Sequence, residues 1–344
     1  MQRLRYVPAL DGLRGVAIAL VVAFHYFGFP PGGTDGVDLF FVLSGFLITT
    51  LLLEERAETG TVRLRGFYAR RIRRLIPALL SLLAAFSVIA AVKGVDPLPQ
   101  LARFGFYTGN FTRAYFDPHG RSASSGISHL WSLAEEEQFY LVWPLLLLLV
   151  ARTRRLLLLT TLFACALIAY RGALVLDGAS LVRLFYGPDT RADGLMLGAI
   201  LAIARQRGVV RIPEGLVPWL LAVFTIAVAI PAGFSGWPLV VLPVFELVCV
   251  GLIAATVGGS SLAGPLAWRP LVFLGKISYS LYLWHYMIWW MLGWQHPWLA
   301  LAISLTCSCL SYRFVEQPFR RGRPSISTTS PLRAPTPVVG DLIT

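Results

Sequence analysis

Uninterrupted apolar runs long enough to cross a lipid bilayer recur along this sequence, near residues 12–28, 37–53, 76–93, 129–150, 155–176, 190–204, 215–231, 239–257, 277–294 and 298–316. A helix of a soluble domain carries polar residues on every turn, whereas a bilayer core about 30 Å thick asks for about 20 consecutive apolar residues. The runs therefore read as spans. In lipid each backbone N–H and C=O must be paired within the segment, which leaves helices as the spanning element for runs of this kind. Composition agrees: 56% of the 344 residues are hydrophobic and 14% charged, against about a quarter charged in soluble domains. The expected fold is an all-α, polytopic membrane bundle of about ten transmembrane helices, in a bacterial inner or plasma membrane.

The formal net charge is +12, and the basic side is almost all Arg, with Lys only at Lys93 and Lys276. These charges sit in short connections, where they set orientation and meet anionic headgroups, so a nucleic-acid partner is not expected. With the N-terminus inside, the inner connections hold Arg56 to Arg74, Arg152 to Arg155, Arg205 to Arg211, Arg269 and Lys276. An N-in, C-in orientation follows. Residues 1–319 are expected to form the membrane domain. Residues 320–344, rich in Ser, Thr and Pro, are expected to be a disordered cytoplasmic tail. The first apolar run carries Arg14 and His25 and leads straight into another span, so it is expected to stay in the protein rather than be cleaved as a signal. Cys165, Cys249, Cys307 and Cys309 lie within apolar runs without the spacing of a disulfide framework or a zinc site. Residues 96–128 are aromatic but too polar for a span, and are expected outside, as an interfacial or re-entrant segment.

Ionisable groups inside lipid are costly and need a pairing or functional reason. Arg14 and His25 are eleven residues apart, so they share one helix stripe about 16 Å apart along the axis. They either line a site or serve as an interfacial anchor and a structural hydrogen bond. In WSLAEEEQFYLVWP, Glu135, Glu136 and Glu137 open an apolar run, with Ser132 a candidate helix cap. Glu136 lies four residues from both Ser132 and Tyr140, on one face, where it is expected to orient a basic group such as an imidazole. In FYARRIRRLIPALL, Arg71 and Arg74 are one turn apart and suited to clamping phosphates, although orientation alone also asks for such a cluster. In GKISYSLYLWHYMI, Ser278, Tyr282 and His285 form one stripe. Arg191 and Asp193 are expected to pair, and Glu246 has no evident role.

Taken in order, RYVPALDGLRGVAIALVVAFH, GVDLFFVLSGFLIT, RRIRRLIPALL, HLWSLAEEEQFYLVWP, RADGLMLGA, SYSLYLWH and YRFVEQPFRR resemble the acyltransferase 3 family of membrane O-acyltransferases, over roughly residues 5 to 321. The resemblance implies an acyl donor, usually acetyl-CoA, on the cytoplasmic side. It implies a hydroxyl acceptor, such as a carbohydrate, a cell-surface glycan or a macrolide-like product, and no metal. By position His25 is the expected catalytic residue, with Arg14 its motif partner and Glu136 in the acidic pair with Glu137; Arg71 and Arg74 are expected to bind the donor. Asp38, Ser44, Trp131, Ser132, Glu137, Tyr140, Tyr282 and His285 are expected to line the substrate path. Many relatives carry a further esterase-like domain; this chain is expected to lack one and to work alone. His25 would serve as general base or as acyl-carrying nucleophile, its tautomer held by Glu136 or Asp38. The alternative is a transporter or flippase using the same buried polar groups. Nothing in the sequence specifies an oligomeric state.

Overall fold

The structure, a computed structural model, describes residue 4 and residues 6–117, 125–150, 153 and 155–320. Among these residues there are helices and turns and no strand. Ten main helices follow the ten apolar runs: α1 (Pro8–Phe27), α2 (Gly36–Thr59), α3 (Leu64–Val92), α4 (Trp131–Val150), α5 (Leu156–Leu176), α6 (Pro188–Gln206), α7 (Val217–Val228), α8 (Leu242–Val257), α9 (Arg269–Leu292) and α10 (Pro297–Leu310). α1 starts on a proline, whose missing N–H is no loss in a first turn, and stops at Gly28, whose left-handed backbone lets its N–H reach the Phe24 carbonyl. α10 runs on through a π turn, Ser311–Glu316, to a short helix ending at Arg320. The expectation for the remaining tail lies outside the described residues.

Six helical segments are long and apolar enough to cross a membrane by length and composition: Pro8–Phe27, Gly33–Thr59, Leu64–Val92, Leu156–Leu176, Trp237–Val257 and Pro297–Arg320. The chain is a multi-pass helical membrane protein. α7 is too short for that test, with 12 residues, and α4, α6 and α9 carry the polar and aromatic groups of the interior described below. α3 begins well before its apolar run, so Arg70, Arg71, Arg73 and Arg74 extend the helix itself. In residues 96–128, a short helix, Leu98–Gly105, buries Phe104 against α3 and α9.

α2 is the central helix, with 83% of its span window buried against 17% for α5. Two glycine-mediated contacts set the packing around it. A Cβ on Gly45 of α2 would stand 1.9 Å from the Leu195 carbonyl oxygen of α6, and one on Gly275 of α9 would stand 1.8 Å from that of Asp11 in α1. Only a residue without Cβ allows backbones this close, and in lipid such close packing substitutes for a hydrophobic driving force.

The expected Arg191–Asp193 pair does not form. Residues two apart on a helix point to different sides, and each finds another partner: Arg191 meets Asp38 of α2 at 2.7 Å, both wholly buried, and Asp193 meets Arg171 of α5 at 2.6 Å. The guanidinium of Arg191 also lies about 5 Å from the ring centres of Phe185 and Trp237. Glu246 of α8, without an evident role in the sequence, points at this same network, its Oε1 being 2.7 Å from where a Cβ on Gly194 would stand.

Candidate active site

Three cavities lie in a row through the bundle. The first, of about 280 Å³, is lined by Arg14, Arg71, Arg74, Glu136, Glu137 and Tyr140 among others, and is called the basic chamber here. A neck of about 50 Å³ follows, sharing Arg14, Glu136 and Tyr279 with the basic chamber and adding Ser132, Ser278 and Tyr282. Beyond it the histidine chamber, of about 200 Å³, shares Val37 and Tyr282 with the neck and holds His25, His129, Trp131 and Tyr286. A side cavity of about 430 Å³, lined by Phe67, Arg70, Arg71 and Arg74, borders the basic chamber.

The arginines are held by aromatic faces and hydroxyls. The guanidinium of Arg71 stacks on the Tyr140 ring at 3.8 Å, a cation–π contact that fixes its plane. Arg14 donates to Ser278 Oγ at 3.0 Å and lies over Phe40. Glu136 accepts a hydrogen bond from Tyr140 at 2.7 Å and another from Ser44. The chamber thus offers guanidinium groups to an anion, and one of the carboxylates that line it, Glu136, is already engaged by hydroxyls.

His25 stands in the last turn of α1, and its Nδ1 donates to the Val21 carbonyl at 2.8 Å. A carbonyl only accepts, so the proton sits on Nδ1 and Nε2 keeps its lone pair. This corrects the expectation that Glu136 or Asp38 holds the tautomer: Glu136 belongs to the basic chamber and Asp38 to Arg191, while the i−4 carbonyl of the helix itself orients the ring. Around His25 the rings of His285 and Tyr286 approach within 5.2 and 5.1 Å of its centre, and His129 stacks on Tyr286 at 4.9 Å.

Most of the residues singled out in the sequence meet on this path. Arg14, Arg71, Arg74, Ser44, Glu136, Glu137 and Tyr140 reach the basic chamber. Ser132 and Tyr282 reach the neck, and His25 and Trp131 the histidine chamber. Two do not line these cavities. Asp38 follows the neck residue Val37, but one residue turns a helix by about 100°, which directs it to α6. His285 is wholly buried behind His25, its Nδ1 donating back to the Tyr282 carbonyl at 2.7 Å. Ser132 is no cap either, because a 3-10 turn, Ser128–Leu130, already leads into α4 at Trp131 and the Ser132 hydroxyl bonds to that of Tyr282. Glu135 turns away from the path and is buried on the side of Arg191. His129 and Tyr286 escaped the sequence reading; a histidine at the mouth of an apolar run was the available signal. Among the described residues no group of three or more His, Cys, Asp or Glu is arranged to hold a metal ion.

A helical membrane bundle with an arginine-lined chamber at one end and a free imidazole at the other is the class of protein that these features define. The acyltransferase domain model of the acyltransferase 3 family matches residues 7–312, and the chain belongs to that family. It is 32% identical over 355 positions to the peptidoglycan O-acetyltransferase OatA of Listeria monocytogenes, covering 92% of this chain and 56% of that protein. It is 34% identical over 356 positions to the O-acetyltransferase OatA of Staphylococcus aureus, covering 92% of this chain and 58% of that protein. The chain therefore spans a little over half the length of these relatives. No solved structure matches it.

Proposed function

We propose that this protein transfers an acetyl group from cytoplasmic acetyl-CoA to a hydroxyl of a cell-surface glycan on the other side of the membrane. With the N-terminus inside, as the Arg-rich connections suggest, the basic chamber, which the start of α1 helps to line, faces the cytoplasm. The acceptor class follows the relatives, one of which is named for peptidoglycan. The observation that carries the reading is the row of cavities joining Arg71 and Arg74 to a tautomerically fixed His25.

In this reading Arg71 and Arg74 hold the CoA phosphates, whose charge and fork geometry suit paired guanidiniums. The thin pantetheine arm extends from there past Arg14 into the neck, bringing the thioester toward the histidine chamber. Nε2 of His25 takes the proton of the acceptor hydroxyl as that oxygen attacks the thioester carbonyl. The C–S bond breaks, the sulfur leaves as thiolate, and the imidazolium returns the proton to it. A two-step route through an acyl-imidazole would use the same lone pair. In both, the protein contributes an imidazole with a free Nε2 lone pair, oriented by Val21.

The test is transfer of radiolabelled acetyl from CoA by purified protein in nanodiscs supplied with glycan acceptor fragments. Transfer should fall about 10²- to 10⁴-fold in His25→Ala, the range for removal of a general acid–base group. Donor binding should be retained in that variant. Transfer that survives His25→Ala at full rate would overturn the assignment, and movement of a solute without acyl-CoA would favour a transporter.

A further inference from the structure

The neck is much smaller than the chambers it joins, and Ser132, Tyr279 and Tyr282 are among the residues that line it. Its volume is about 50 Å³, against about 280 and 200 Å³ on either side. Tyr282 borders both the neck and the histidine chamber, so whatever passes from one to the other passes its ring. That ring is fixed at its tip: the hydroxyl donates to the His129 carbonyl at 2.6 Å and takes its other hydrogen bond from Ser132 Oγ. Tyr282 and Ser132 come from α9 and α4, so the bridge ties two helices together across the path.

A bridge of this kind does not prevent passage of a small group. It sets the size of what passes. We infer that Tyr282, latched to Ser132 and the His129 carbonyl, is the specificity-determining residue for the acyl chain, admitting a two-carbon group and rejecting longer ones. This inference rests on the reading above, in which the thioester end enters the neck from the basic chamber. An acetyl group is a few heavy atoms and matches the neck. Each further methylene would have to push against a ring held at its tip, and overfilling a packed site costs about 1 to 3 kcal/mol, or about 5- to 150-fold in rate per methylene. Tyr282 acts here by excluding volume, so its effect appears in the choice among donors.

The experiment is a competition. Wild type, Tyr282→Ala, Tyr282→Phe and Ser132→Ala in nanodiscs receive equimolar acetyl-, propionyl- and butyryl-CoA with a glycan acceptor, and mass spectrometry counts the acyl groups transferred. The ratio among products is internal to each sample, so it does not depend on how much protein folds. Wild type should prefer acetyl over butyryl by at least about 30-fold, from two methylenes at the lower figure. Tyr282→Ala should reduce that preference at least 10-fold. Tyr282→Phe and Ser132→Ala, which loosen the tip and keep the ring or its size, should reduce it by a smaller factor in the same direction. Equal use of the three donors by wild type would overturn the inference, as would ratios unmoved in all three variants while transfer continues. Should Tyr282→Ala not fold, the two milder variants decide by the direction of their ratios. Failure of wild type with every CoA ester would instead overturn the donor reading, and this inference with it.

Discussion

The Arg191 network invites a test in which removing the cation and removing the anion give unequal results. Arg191 is wholly buried, paired to Asp38 at 2.7 Å. It also feels the carboxyl groups of Glu135, Glu246 and Asp35. A second guanidinium, Arg171, is seated in the same network, where it holds Asp193. Replacing Arg191 with Met removes the charge that compensates several carboxyl groups at once. Breaking a buried pair from one side costs about 3 to 5 kcal/mol, which at about 2 to 4 °C per kcal/mol for larger domains is a drop in melting temperature on the order of 10 °C. Replacing Asp38 with Asn should cost about 1 to 2 kcal/mol, since the amide can still accept and Arg191 keeps other carboxyl neighbours. The double variant Arg191→Met, Asp38→Leu exchanges the pair for apolar volume and should recover at least half of the loss. Heating in detergent followed by fluorescence-detected size exclusion measures all three. If Arg191→Met melts within about 2 °C of wild type, the carboxyl groups already carry protons and the cation is not what holds them. If Asp38→Asn is the worse of the two, the network lacks negative charge rather than positive.

Arg71→Lys keeps the charge but loses the stacked plane on Tyr140. Losing a charged hydrogen bond worth about 1.5 to 3 kcal/mol should raise the KM for acetyl-CoA by about 10- to 100-fold with a smaller change in kcat; an unchanged KM would remove Arg71 from the donor site. Gly275→Ala places a methyl 1.8 Å from the Asp11 carbonyl oxygen. It should force α1 and α9 apart and lower the yield of monodisperse protein severalfold in size exclusion, with normal yield refuting the close contact. For the orientation, a single cysteine at Thr61, in the turn between α2 and α3, should be shielded from an impermeant thiol reagent in intact cells. One at Ala179, beyond α5, should be labelled. The reverse pattern would invert the proposed topology.

How far the sequence carries this argument depends on the range over which each signal acts. Helix positions were legible because an apolar run is a local property and lipid admits one regular solution to it. The Arg14–His25 stripe was legible for the same reason: eleven residues on a helix return to one face whatever surrounds it. The error over Arg191 and Asp193 is instructive, because the rule that excludes the pair is also local, and only the rival partners on α2 and α5 are not. Those partners lie about 150 and 20 positions away in the chain, and nothing in the spelling of α6 names them. The tautomer of His25 was missed in the opposite direction. A distant carboxylate was sought where the nearest acceptor, the carbonyl four residues earlier, was sufficient. The neck belongs to a third kind, since a cavity is defined by the side chains that fail to meet. Ser132 and Tyr282 are ordinary residues in their own helices and acquire a role only because α4 and α9 bring their hydroxyls together across an open path. Catalytic residue types can therefore be read from a membrane sequence through the cost of burying them, whereas residues that act by shape become visible only when the helices are packed.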